Sequence, residues 1–204
     1  MTLGVQLFCL LLLVCVGGFF SFAEISLAAA RKLRLRAMTE ENVRGAARTL
    51  RTKENPGRYF SVIQIGNNMA AIMGGIVGES AFSPYFTAVF RYVLSPKSAT
   101  QLGFICSFLL ITCAVVLLSD LLPKRLAMNN PERNAIMVSM PMHIIGLVLS
   151  PLVWVFDNVG NAVLKLLDIP LIPKDKLTSD DILATVSAGS DQGKNVIKIG
   201  RAHV

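Results

Sequence analysis

The stretch FFSFAEISLAAARK, residues 19 to 32, decides how the chain is read, because it sets a serine and a glutamate inside an apolar segment that ends on a basic run. From Met1 to Ala30 the only ionisable side chains besides the cysteines belong to Glu24. A helix of about 20 apolar residues crosses a bilayer core, and an acid within it costs roughly 2.5 to 3.5 kcal/mol. Such an acid marks a functional position by default, the bland alternative being an acid buried against another helix for packing. Gly17, Ser21, Glu24 and Ala28 fall on one helix face at spacings of three and four. Glu24 lies roughly 10 Å inside the boundary set by Arg31 at about 1.5 Å per residue.

The rest of the chain agrees with a membrane setting. Of 204 residues 53% are hydrophobic and 16% charged, which points to an all-α integral membrane protein and away from a soluble domain. The net charge of +7 is concentrated beside apolar segments, where orientation explains it without nucleic acid. Cys9, Cys15, Cys106 and Cys113 sit in apolar runs at no metal-ligand spacing, so no disulfide is expected. The first segment lacks a basic leader and runs longer than a signal-peptide core, so it is expected to remain in the mature protein.

Residues 31 to 58 hold nine Lys or Arg and three Glu. The positive-inside rule makes this loop cytoplasmic and the N-terminus external. Leu33, Leu35, Met38, Val43, Ala46, Ala47 and Leu50 recur loosely at helical period, predicting one or two amphipathic juxtamembrane helices, with a solvated connector as the alternative. Asn55-Pro56-Gly57 turns the chain back. A second span begins near Tyr59, with Gly66, Ala70, Gly74 and Gly78 forming a stripe that admits close helix packing. Asn67 and Asn68 stand beside it, as helix-gluing amides or as cation ligands. Residues 79 to 100 read as a short outer connection. The third span ends on SDLLPKR, residues 119 to 125, where Pro123 has no N–H for the Ser119 carbonyl.

Three antiparallel spans bring Glu24, Asn67 and Asp120 to depths of roughly 6 to 13 Å from one face. With Ser21 and Asn68 they make an oxygen-rich pocket suited to a hard or ammonium-type cation, and no nucleophile and base pair or phosphate loop suggests an enzyme. Residues 134 to 156 resemble a fourth span by hydropathy, but Pro141 and Pro151 interrupt them and bases flank both sides. A re-entrant or belt segment is expected instead. His143 there reads as packed or interfacial. Residues 161 to 197 read as a cytoplasmic linker with a short helix from about Asp180. The tail KIGRAHV, 198 to 204, is expected to be non-native, since a short-read sequencing adapter encodes it in one frame.

FFSFAE (19 to 24), QIGNN (64 to 68) and SDLLPKR (119 to 125), in order on successive spans, resemble the transmembrane domain of the CorC/cyclin-M family, once labelled hemolysin-like. ENPG (54 to 57), DLLPKR (120 to 125) and TSDDI (178 to 182) look most like its bacterial polyamine-exporter branch. The resemblance implies that residues 1 to 160 are the membrane domain of an inner-membrane homodimer, followed beyond the linker by CBS modules that bind adenine nucleotide. No cofactor is expected in this stretch apart from a possible bound Mg²⁺ or other cation. It further implies cation export with Ser21, Glu24, Asn67 or Asn68, and Asp120 at the site; Gly66, Gly74, Gly78 and Pro123 keep the structural roles that their spacing and chemistry predict. Ala23 stands where many relatives have a second serine, and Asp120 where they commonly have glutamate. Losing a hydroxyl ligand disfavours a dehydrated Mg²⁺ site, so putrescine or cadaverine is the expected substrate, with Mg²⁺ or Co²⁺ efflux as the alternative. A further alternative is a regulatory or assembly partner of another transporter.

Overall fold

The computed structural model describes residues 2–167, which divide between two units, Met1–Trp154 and the stretch from Val155 onward. In the first unit α1 (Leu3–Ala29) is followed by α2 (Lys32–Glu40), α3 (Ala46–Glu54), α4 (Gly57–Phe90) and α5 (Pro96–Val115). A π-helical turn (Val116–Leu121) then leads into α6 (Leu122–Ala127), α7 (Pro131–Val148) and the start of α8 (Ser150–Leu166). No strand occurs among the described residues. Three stretches are long and apolar enough to cross a membrane, namely Leu3–Ala29, Gly57–Phe90 and Pro96–Ala127. Their outer faces expose Phe8, Leu11, Ile72, Ile76, Phe108 and Leu109, as lipid-facing surfaces do. The chain is therefore an all-α integral membrane protein.

The small-residue stripe is covered within the chain. A Cβ at Gly66 would strike the Phe20 ring of α1, and one at Gly78 would strike Ile111 of α5. Gly74 faces Val115 at 3.8 Å, so one stripe serves α1 on one turn and α5 higher up. On the opposite edge of the α4–α5 seam, Gly103 admits Thr87, and the Ser107 hydroxyl donates to the Glu79 carbonyl at 3.2 Å.

These contacts correct the expectation for residues 79 to 100. The second span does not stop at Gly78; α4 continues through Pro84 to Phe90, and the connection shrinks to Arg91–Ser95. Packing at Gly78 and at Thr87 grips the helix on both sides of the proline, which offsets the one hydrogen bond that Pro84 removes. Thirty-four residues make about 51 Å of helix, longer than the hydrocarbon core of roughly 30 Å.

The basic loop forms two helices that pack as part of the protein. Asn42 (φ 58°) and Gly45 (φ 93°) adopt left-handed conformations between α2 and α3, the latter where a side chain would be strained. Leu35, Ala30 and Ala135 are buried together, with Leu50 and Ile136 against them, so α2 and α3 are docked on the ends of α1 and α7. Leu33 points outward, 79% exposed.

Residues 134 to 156 are not one helix, because the chain breaks at Leu149 (φ −82°, ψ 0°). Helix α7 starts beside Arg31, at the end of α1, where Glu132 accepts from its backbone and side chain. It ends beside Arg58, at the start of α4, whose guanidinium donates to the Gly146 carbonyl. Both ends of α7 thus lie at the basic end of the bundle, the geometry of a belt and not of a crossing. Phe20, Ala23, Val62, Ile63, Val138, Met142 and Val153 form the main core under it. In the second unit the helix continues from Val155 to Leu166, past residue 160. The expected helix near Asp180, the TSDDI motif and the 198 to 204 tail lie outside the described residues.

Candidate cation site at the end of the third span

Proline at position 123 removes a backbone donor, and the helical ladder responds by widening. The Leu122 N–H donates to the Leu117 carbonyl five residues back, which makes the π-helical turn Val116–Leu121. The turn packs on two adjacent glycines of α1. Gly17 leaves room for the Ser119 hydroxyl, and Gly18 lies 3.3 Å, measured from an added Cβ, from the Pro123 ring. With no side chain between them, the two backbones approach closely enough for their polar groups to meet.

Four side chains then converge. The Ser21 hydroxyl donates to Asp120 Oδ1 at 2.8 Å, and Ser21 itself is fully buried. Lys124 Nζ stands 2.8 Å from the same Asp120 oxygen and 3.2 Å from Glu24 Oε2. One ammonium bridges carboxylates from two spans, and the cluster retains one negative charge. The side chains of Glu24, Asp120 and Lys124 are 29 to 35% exposed, so the cluster lies at the surface of the bundle and not in its core.

The asparagines divide. Asn67 is half-buried, its Oδ1 3.4 Å from the Cβ position of Gly17, so it borders the Ser119 side of the cluster. Asn68 is exposed on another face of α4, turned by one residue of helix from Asn67. The structure therefore brings Ser21 onto Asp120, joins Glu24 to Asp120 only through Lys124, sets Asn67 beside them and leaves Asn68 outside. Pro123 and Gly66 lie in the interfaces that hold the cluster, and Gly74 and Gly78 lie further along α4 against α5.

Sequence reasoning missed Lys124 as a member of the cluster. Its spacing of four from Asp120 was a usable signal, but its reach to Glu24 depends on the meeting of α1 with the widened turn. Among the described residues no group of three or more His, Cys, Asp or Glu could hold a metal. The donor set is two carboxylates, a hydroxyl and an amide, with a primary ammonium already between the acids. Such oxygens can pair with an ammonium by charge and directed hydrogen bonds, as the acids do with Lys124.

Three more polar contacts, also unforeseen, fix the ends of the helices around the site. Lys53 Nζ donates to the Leu27 and Ala28 carbonyls at 2.8 Å each, satisfying the open C-terminus of α1. Burial and the nearby charge of Lys32 lower the Lys53 pKa. The Tyr59 hydroxyl donates to the Ala23 carbonyl at 3.1 Å. Glu132, 4% exposed, receives the Arg31 N–H and Nε at 3.4 Å. Burial pushes its carboxyl up, but its own backbone N–H, the two Arg31 donors and the Arg34 charge outweigh that and hold it below the usual carboxylate value.

Residues 8–196 match the family described as "Cyclin M transmembrane N-terminal domain". The chain is 46% identical over 188 residues to a polyamine export protein of Salmonella typhimurium, an alignment covering 92% of this chain and 42% of that one. It is 44% identical over 184 residues to the polyamine export protein of Escherichia coli K12, covering 90% and 41%. A Haemophilus influenzae polyamine export protein is 38% identical over 181 residues, covering 89% and 42%. The chain thus spans less than half the length of these curated relatives. The match over residues 8–196 shows that the chain belongs to the cyclin M transmembrane-domain family.

Proposed function

We propose that the chain is the membrane domain of a bacterial polyamine exporter, in which Glu24 and Asp120 bind a substrate ammonium in exchange for that of Lys124. The observation that carries this reading is the bridge itself, in which the two carboxylates hold a primary ammonium at 2.8 and 3.2 Å. A polyamine ends in the same chemical group. The cluster's residual negative charge attracts a free cation, and the internal lysine gives the emptied site a counter-ion after release. Ser21 and Asn67 supply the neighbouring hydrogen-bonding groups. The names of the relatives support polyamine as the cargo.

The basic end of the bundle faces the cytoplasm in this reading, with the N-terminus outside, because nine Lys or Arg lie between residues 31 and 58. The transporting unit is a homodimer of the full-length protein. The test is efflux from proteoliposomes containing that full-length protein. Cadaverine or putrescine efflux that falls about 10- to 100-fold in Asp120→Ala is expected, the loss of one charge-assisted contact. Unchanged polyamine efflux in that variant overturns the site. Efflux of Mg²⁺ or Co²⁺ without polyamine assigns a divalent metal instead, and no movement of any of them identifies a regulatory partner.

A further inference from the structure

A second charged feature lies at the basic end of the bundle, between α3, α4 and α7, and it has the opposite character to the carboxylate cluster. A cavity of about 300 Å³ opens there, with Arg48 and Arg51 of α3 and Arg58 of α4 on its wall. None of its lining residues is acidic, and none of the three arginines has a carboxylate partner among the described residues. Arg58 is nevertheless held in place, donating to Ser150 Oγ at 2.7 Å and to the Gly146 carbonyl at 3.4 Å. Arg48 donates to Met140 Sδ. Both sets of acceptors are neutral, so the guanidiniums are positioned without losing charge.

Thr52, Asn55, Ser139 and His143 add further polar groups to the wall, and one side of it is apolar. Val62, one turn into the second span, lines the cavity together with Met142 and Leu147 of α7. Arg58 is the second residue of that span, so the cavity straddles the level at which headgroups give way to acyl chains. We propose that this cavity binds the phosphate of an anionic phospholipid, with the guanidiniums on its oxygens and the glycerol and upper acyl carbons against the apolar side. Guanidinium forks match phosphate geometry, and a mixed polar and apolar wall matches the junction of a lipid better than it matches a free ion. The volume lies at the lower end of the range for small-molecule sites, enough for a headgroup but not for a whole lipid.

The test uses the purified chain in phosphatidylcholine nanodiscs, with and without phosphatidylglycerol, and with inorganic phosphate added in place of the anionic lipid. Phosphatidylglycerol is expected to raise the thermal midpoint and to remain bound in native mass spectra. The Arg48→Gln/Arg51→Gln variant, whose midpoint in phosphatidylcholine alone verifies its fold, is expected to retain about tenfold less of it. Lys32→Gln/Arg44→Gln removes as much charge outside the cavity and is expected to retain the wild-type amount. Equal loss in both variants overturns the site in favour of general surface attraction. A shift produced equally by inorganic phosphate overturns the lipid assignment, and no shift with either overturns the proposal.

Discussion

The carboxylate cluster and the arginine cavity lie at neighbouring levels of one bundle, yet they treat charge in opposite ways. At membrane depth Asp120 and Glu24 share Lys124, which offsets one of their two charges, and Ser21 donates a hydrogen bond to Asp120. At the basic end Arg48, Arg51 and Arg58 are held only by neutral groups or by none. Lipid offers an unpaired charge nothing, so the span must bring its own counter-ion. Water solvates an exposed guanidinium at little cost, so the boundary can keep positive charge in reserve for a ligand. A site that already contains its own ion binds by exchange, whereas one that does not binds by addition.

The sharpest way to break this contrast is to unmatch the cluster. Lys124→Gln leaves two acids facing each other and is expected to lower stability by about 2 kcal/mol, somewhat below the value for a fully buried pair because the group is partly exposed. Chemical unfolding in detergent measures the loss, and added cadaverine should restore more stability to this variant than to the wild type. Next in size is Glu132→Gln, the buried acid that ties α7 to the end of α1, with an expected loss of about 1.5 kcal/mol. The Glu132 carboxyl is held below its ordinary value of 4.5, so its contribution is present above that pH and lost as pH falls through the lowered value. Thermal unfolding of the wild type should therefore weaken on the acid side, and Glu132→Gln should flatten that part of the profile.

Lys53→Met tests the cap on α1 and is expected to cost about 0.3 to 1 kcal/mol, read as a lowered thermal midpoint. The smallest effect belongs to the unmatched side. Arg51→Gln is expected to change stability by less than about 0.5 kcal/mol in neutral lipid, because no buried partner is left behind. A loss comparable to that of Lys124→Gln would show that the arginines are structural and erase the contrast.

How far the sequence foretold these regions follows from the range of the forces involved. Glu24 and Asp120 were legible because a charge in an apolar run is improbable without a purpose, and the three spans followed from length and hydropathy. That residues 134 to 156 form a re-entrant or belt segment instead of a straight fourth span was legible from the bases on both sides and from Pro141 and Pro151 within it. The continuation of α4 past Pro84 was not, because it depends on contacts at Gly78 and Thr87 made by residues some 15 to 35 positions away in sequence. Glu132 resembled an ordinary acid in a first helical turn, and only the docking of α7 on Arg31 reveals it as a joint. Asn67 and Asn68 were equivalent as letters; their separation is a matter of helix phase against α1.

The widened turn before Pro123 makes the cluster dependent on a count of residues as well as on their identity. A π turn contains one residue more than an α turn, and each residue advances an α-helix by about 100°. Removing a single leucine from Val116–Leu118 would leave an unbroken apolar span of nearly the same length, with Asp120, Lys124 and every other named side chain still present. Closing the turn to the α form takes up that loss, so Asp120 and Lys124 keep their phase against Ser21 and Glu24. Adding a leucine instead meets a turn that is already widened and swings the pair by about 100° away from both partners, so in this chain a one-codon insertion in a bland stretch separates the acid from its contacts while leaving every named side chain present.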